Sequence, residues 1–130
     1  MGFEDMGINT CRLVWRGHFE AAHCLHGHAS CGKVHGHSYD VEVVLVGGVG
    51  RDGMVIDFGM LKDVVAQFDH MMLNEILETP TAENLASYIA GDIDRVAHIS
   101  GRRISTIEVS VREGTYGGKA IIERRVKTEE

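Results

Sequence analysis

Two pairs of alternating apolar and polar stretches bracket two stretches of helical period, which predicts an α+β domain of order ββααββ with an antiparallel sheet and both helices on one face. At 130 residues, with no repeat, low-complexity tract or linker to divide it, the chain is read as one domain spanning residues 1–130. Hydrophobic residues at 44% and charged residues at 25% match a folded globular chain rather than a disordered one.

The first strand is expected from Cys11 to His23, where Leu13, Trp15, Phe19 and Ala21 alternate with Arg12, Arg16, His18 and Glu20, so that odd positions face the core. The second runs from His37 to Val46, with Tyr39, Val41, Val43 and Leu45 on the inward parity. Turn signals at Gly47-Gly48 and Arg51-Asp52-Gly53 lead to a short extended piece, Met54 to Ile56, and then to Asp57 as a helix N-cap. The first helix carries its apolar stripe on Phe58, Leu61, Val64, Val65 and Phe68. Thr81, after Pro80, caps a second helix that places Leu85, Ala86, Ile89, Ile93 and Val96 on one side to about His98. The third strand spans Ile104 to Glu113, and a fourth runs from Lys119 to Val126 beyond Tyr116-Gly117-Gly118. Four strands leave two open edges, which oligomerisation can pair, so a homo-oligomer is expected.

A formal charge of -6 lacks the basic footprint of a nucleic-acid binder. The first twelve residues hold Glu4 and Asp5 and no apolar leader core. Met6 stands where N-myristoylation needs Ser or Thr. No stretch reaches the roughly 18 apolar residues of a membrane span, so a cytoplasmic protein without a membrane partner is expected. Three cysteines, Cys11, Cys24 and Cys31, are an odd number, and two lie in a histidine-rich stretch, which favours metal or thiolate chemistry over a disulfide framework.

Six of the eight histidines, from His18 to His37, fall within 20 residues. His35 and His37 are one residue apart, so on an extended backbone they share a face, and Gly36 between them leaves room for close approach. His23 ends the inward parity of the first strand, and His37 opens that of the second. Antiparallel pairing of the two strands therefore brings His23, His35 and His37 together at the rim of the core. Three histidines with a fourth position open is how catalytic zinc is held, so Zn2+ is favoured over copper or nickel. His26 and His28 repeat the spacing and Cys24 adjoins His23, so a second ligand set within the same loop stays open. Cys31 is four residues before His35, and a thiol near a metal and histidines can serve as base or nucleophile. Asp69-His70 sets a carboxylate beside an imidazole, suited to proton transfer. Glu113 continues the inward parity of Ile107, Val109 and Val111, which directs a carboxylate to the inner face at the strand's end, where it can grip paired N–H donors.

Taken together, Phe19-Glu20-Ala21-Ala22-His23, Cys31-Gly32-Lys33-Val34-His35-Gly36-His37, Asp57-Phe58 with Leu61-Lys62, Asp69-His70 with Leu73-Asn74, and Pro80-Thr81-Ala82-Glu83-Asn84-Leu85 resemble the 6-pyruvoyltetrahydropterin synthase and 6-carboxytetrahydropterin synthase family over nearly the whole chain. The resemblance implies zinc on His23, His35 and His37, a proton relay of Cys31 with Asp69 and His70, and Glu113 as the pterin anchor. It further implies the tunnelling fold, with subunits closing an antiparallel barrel as a hexamer of two stacked trimers and with active sites between subunits. Two departures stand out: Gly114 follows Glu113 where the family usually has Thr, and the loop from His23 to Cys31 is short. In relatives that cleave dihydroneopterin to a hydroxymethyl pterin a glutamate takes over near the cysteine position, whereas this chain has Cys31 followed by Gly32.

The reaction the resemblance implies starts from 7,8-dihydroneopterin triphosphate. The Cys-x-x-x-His-Gly-His form favours the branch that gives 6-carboxy-5,6,7,8-tetrahydropterin, acetaldehyde and triphosphate for queuosine-type 7-deazapurine biosynthesis. The alternatives are the branch that eliminates triphosphate to a pyruvoyl product and, from other classes, a noncatalytic zinc or pterin binder or a three-histidine hydratase. Lys33 and Arg12 are candidates to meet the triphosphate.

Overall fold

The alternating stretches form the strands expected of them. In the computed structural model, which describes residues 9–28 and 32–127, strand β1 (Thr10–His23) and strand β2 (His35–Gly48) pair antiparallel in continuous register, from Thr10 opposite Gly48 to His23 opposite His35. Strand β2 begins two residues earlier than its apolar pattern indicates, because His35 and Gly36 continue the ladder without apolar side chains.

Two helices follow, α1 (Phe58–Ala66) and α2 (Ala82–Ile99). Asp57 caps α1 by accepting from the Gly59 N–H at 2.8 Å, and Thr81 caps α2 by accepting from the Asn84 N–H at 3.1 Å. Between the helices lies a two-residue strand, β3 (Met71–Met72), then a 3-10 turn at Leu73–Glu75. Strands β4 (Ile104–Glu113) and β5 (Lys119–Arg125) complete a sheet of order β3-β1-β2-β4-β5.

Strand β3 corrects the expectation of a four-stranded, wholly antiparallel sheet, since it pairs parallel to β1 at Ala21 and Ala22. Two residues carry no period-2 signal, and the strand is seated by a backbone contact, His70 N–H to Glu20 O at 2.6 Å, between elements far apart in sequence. Met54–Ile56 is another correction: Val55 and Ile56 are buried but lie in bends rather than a strand. Phe58 heads the α1 stripe in sequence yet is 54% exposed, because the first helical residue sits beyond the face that meets the sheet.

Both helices cover one face of the sheet. Phe19, Ala21, Tyr39, Val41, Val43, Leu45, Ile107, Val109 and Val111 from the strands join Leu61, Val65, Leu85, Ile89 and Ile93 from the helices in one buried cluster. The other face carries ion pairs, Arg16 with Glu42 at 3.0 Å and His18 with Asp40 at 3.1 Å, beside half-exposed Val14 and Ile121. Beyond Ala21 and Ala22, β1 has no second strand neighbour among the described residues, and β5 forms the opposite edge. No helix among the described residues is long and apolar enough to cross a membrane.

Candidate active site

The β1–β2 register delivers three histidines to one point. His23 faces His35 across the ladder, and His37 lies one inward position further along β2, opposite Ala21. The three rings meet edge to face, with centroids 4.6, 5.0 and 4.7 Å apart, and one nitrogen from each lies within 4.8 Å of the others.

Their hydrogen bonds decide the tautomers. His23, fully buried, donates from Nδ1 to the Pro80 carbonyl at 2.8 Å, and His35 donates from Nδ1 to the Lys33 carbonyl at 2.7 Å. Each carbonyl can only accept, so each Nδ1 carries a proton; in the neutral form of the rings that leaves the Nε2 lone pairs bare, and the two Nε2 atoms face one another 3.0 Å apart. His37 Nε2 is buried with no hydrogen-bond partner, 3.6 Å from the Glu113 carboxylate. Lone pairs aimed at one another are relieved by a cation between them, and backbone carbonyls on the outer nitrogens are the usual second layer of a histidine metal site. The residues present therefore fit a metal ion. Burial holds the His37 pKa below the ordinary imidazole value, against the pull of Glu113 and aided by His23 and His35, which keeps the ring in its ligating form. Tyr39, whose hydroxyl lies 3.2 Å from His23 Nδ1, is pushed above the usual phenol range by burial and then by the Glu113 charge, and so stays protonated.

Glu113 ends β4 opposite Tyr39, which sets its carboxylate beside the histidines as its parity indicates. Gly114 then turns the chain with φ of 76°, its N–H donating to the Ser38 carbonyl at 2.7 Å. A left-handed residue is cheapest as glycine, which gives the Gly114 departure a backbone cause. Gly36 has none of this kind: an added Cβ there would meet nothing nearer than the Ala21 carbonyl at 3.7 Å, so the space expected between His35 and His37 is not a packing requirement.

Asp69 and His70 pair at 3.0 Å, carboxylate to Nδ1. Asp69 also accepts from the Glu20 N–H at 3.0 Å, and His70, a non-glycine residue at φ of 58°, is clamped to the Glu20 carbonyl through its own N–H. These bonds, the Glu20 N–H first and His70 second, hold the Asp69 carboxyl below its usual range. His70 borders an open depression of about 540 Å3 lined also by Glu20, Ala22, Gly36, His37 and Ser38, so it shares a wall with His37 without joining the three converging rings. A larger cavity of about 630 Å3 lies by Gly47, Arg102 and Lys127, at the other end of the sheet, and contains none of these groups.

Cys31, the third member of the expected relay, lies outside the described residues. Of the alternative ligand set in the loop, Cys24 Sγ and His26 Nε2 come within 4.0 Å of each other, but among the described residues the group of three or more able to hold an ion is His23, His35 and His37. Sequence reasoning missed the Pro80 carbonyl, since a backbone oxygen carries no residue signature and this contact spans 57 positions.

The sequence profile described as 6-pyruvoyl tetrahydropterin synthase matches residues 12–125. The chain belongs to the 6-pyruvoyl tetrahydropterin synthase family. A solved family structure, the Caenorhabditis elegans 6-pyruvoyl tetrahydropterin synthase, matches this chain with a TM-score of 0.67 at 26% identity, covering 91% of this chain and 96% of that one, and it supports assignment of the tunnelling fold. An Archaeoglobus fulgidus protein provisionally named 6-carboxy-5,6,7,8-tetrahydropterin synthase is 51% identical over 79 residues, 58% of this chain and 69% of that one. The dihydroneopterin monophosphate aldolase of Pyrococcus furiosus is 39% identical over 83 residues, 61% of this chain and 71% of that one. This member of the synthase family is an enzyme of the lyase type, with pterin chemistry.

Proposed function

We propose that this enzyme converts 7,8-dihydroneopterin triphosphate to 6-carboxy-5,6,7,8-tetrahydropterin, releasing acetaldehyde and triphosphate, with zinc held by His23, His35 and His37. The observation that carries the reading is the convergence of three imidazoles, two of them with Nε2 atoms facing each other 3.0 Å apart, in a chain of this family. The reading gives the enzyme a cytoplasmic role in queuosine-type 7-deazapurine biosynthesis.

When bound, zinc supplies Lewis-acid polarisation of the substrate's side-chain hydroxyls. The remaining work falls to the chain's own groups. Glu113, its carboxylate next to His37, accepts two parallel N–H donors from the aminopyrimidinone edge and so orients the pterin. Tyr39 forms a neutral floor beneath His23 and His37. Asp69 accepts a hydrogen bond from His70 Nδ1–H, which leaves the Nε2 lone pair of His70 to take up a proton and then return it. Cys31, placed by its motif four residues before His35, acts as the base with Asp69 and His70 as partners. The open edges of β1 and β5 pair between subunits to close a barrel, in a hexamer of two stacked trimers with active sites between subunits.

Identity to the Pyrococcus furiosus aldolase over 83 residues favours a second reading, cleavage to a hydroxymethyl pterin. Cys31, near whose position relatives that cleave to a hydroxymethyl pterin carry a glutamate instead, argues for the synthase. The test is incubation of the zinc-loaded enzyme with 7,8-dihydroneopterin triphosphate, with products identified by mass spectrometry and acetaldehyde assayed alongside. Carboxytetrahydropterin with acetaldehyde is expected. A pyruvoyl product without acetaldehyde, or a hydroxymethyl pterin, overturns the branch, and absence of any pterin turnover overturns the activity. Cys31→Ala is expected to cut turnover by roughly 100-fold or more with zinc content unchanged. Undiminished turnover removes Cys31 from the mechanism.

A further inference from the structure

Two asparagines that sequence analysis placed in motifs have no part in the chemistry above: Asn74 is bonded to the backbone next to His23, and Asn84 to the turn whose Pro80 carbonyl meets the His23 ring. We infer that Asn74 and Asn84 are positioning residues of the metal centre, holding His23 so that its Nε2 lone pair faces His35 and His37; this rests on the reading of those histidines as metal ligands.

His23 is the last residue of β1, and its pairing with His35 is the last rung of the β1–β2 ladder. On the other side of β1, pairing with β3 ends at Ala22. Among the described residues, the backbone of Cys24 thus leaves the sheet without a strand on either side. Asn74 takes the place of one: its Oδ1 accepts from the Cys24 N–H at 2.9 Å and its Nδ2 donates to the Cys24 carbonyl at 2.9 Å. One carboxamide thereby satisfies both polar groups of the residue next to the ligand and prevents fraying where fraying would swing His23 out of the cluster.

The ring's rotation is set from the other side by the Pro80 carbonyl on Nδ1. That carbonyl lies in the turn before α2, and the turn closes on the carbonyl of Thr79, which accepts from the Thr81 N–H at 2.9 Å and from Asn84 Nδ2 at 2.7 Å. Asn84 also gives its backbone N–H to the Thr81 cap, a bond any residue can supply. Its side-chain amide makes the bond that an aspartate cannot, because a carboxylate has no N–H to donate. The chain of contacts runs from Asn84 to Thr79, through the Pro80 peptide, to His23 Nδ1, and fixes both the tautomer and the plane of the ring. Partners bonded directly to a ligating ring, as the Pro80 carbonyl is, usually contribute about 10- to 100-fold in metal affinity, and the asparagines act through that contact and through the Cys24 backbone.

The test uses the near-isosteric variants Asn74→Asp and Asn84→Asp of the full chain. Zinc affinity is measured by chelator competition, the His23 tautomer by side-chain 15N NMR of the metal-free protein, and folding by thermal melting. Each variant is expected to bind zinc about 10-fold more weakly or worse, and the metal-free variants are expected to lose the uniform Nδ1–H form of His23. Two folded variants with wild-type zinc affinity and an unchanged tautomer overturn the inference, even if their melting temperatures fall, because that pattern is a purely structural role. A wild-type chain that binds no zinc overturns the metal reading instead, and the tautomer in the metal-free variants still decides whether the asparagines position His23. Should Asn74→Asp fail to fold, Asn84→Asp at the exposed first turn of α2 decides the matter.

Discussion

The two faces of the sheet are built from the same strands and follow opposite rules. On the helix-covered face, side chains from β1, β2 and β4 form a continuous apolar core whose parity runs directly into His23, His37 and Glu113. On the open face, the alternate residues of the same strands carry Arg16, His18, Glu20, Asp40 and Glu42 in pairs that remain largely in contact with water. The comparison teaches that the register burying Val41 and Val43 also aims the candidate ligands, so core and site share one constraint. The ion pairs on the open face are local and individually weak.

The largest expected effect breaks the shared face at its functional end. His37→Ala removes one of three ligands, and zinc affinity should fall by more than the roughly 10- to 100-fold cost of a lost outer partner; chelator competition reads the loss. Next comes the core: Ile89→Ala on α2, at full burial, should cost about 2–5 kcal/mol of unfolding free energy, measured by urea denaturation. Glu113→Ala should lower kcat/KM for the pterin about 10- to 100-fold with zinc content unchanged, as loss of hydrogen bonds to a charged group implies.

These predictions depend on features legible in sequence to different degrees. Period-2 alternation specified β4 from Ile104 to Glu113 and the convergence of His23, His35 and His37, because parity along a strand is a geometric consequence of the extended backbone. Asp57 and Thr81 were legible as caps because their side chains bond only two or three residues ahead. Strand β3 was not, since two methionines have no period and their place depends on Glu20, 50 residues before His70. Nor was the Pro80 carbonyl on His23, which depends on how the turn before α2 folds back on β1.

Smaller effects lie in charge pairs away from the core. Arg102 donates to both carboxylate oxygens of Asp52, at 3.0 and 2.6 Å, and lowers its pKa from 3.8 to about 2. A depressed carboxyl stabilises the fold above its unfolded pKa and loses that contribution as pH falls through the folded value. Asp52→Asn should therefore flatten the decline in stability between pH 3.8 and about 2, as followed by acid titration with circular dichroism. The smallest effect belongs to the open face. Asp40 first, then Glu20, raise the His18 pKa above 6.5, so its contribution is complete below 6.5 and lost as pH rises through the higher folded value. His18→Gln should remove that slight slope in melting temperature, and added salt should shrink it in the wild type.

The account's central claim is that one zinc ion is held by three strand-borne imidazoles, and X-ray absorption at the zinc edge of the purified, zinc-loaded protein tests it most directly. The account predicts one zinc per chain with a first shell of nitrogen and oxygen at about 2.0–2.1 Å and the multiple-scattering pattern of three imidazoles. A sulfur shell at about 2.3 Å would put Cys24 or Cys31 on the metal and contradict the ligand set, and no stoichiometric zinc would contradict the metal centre itself.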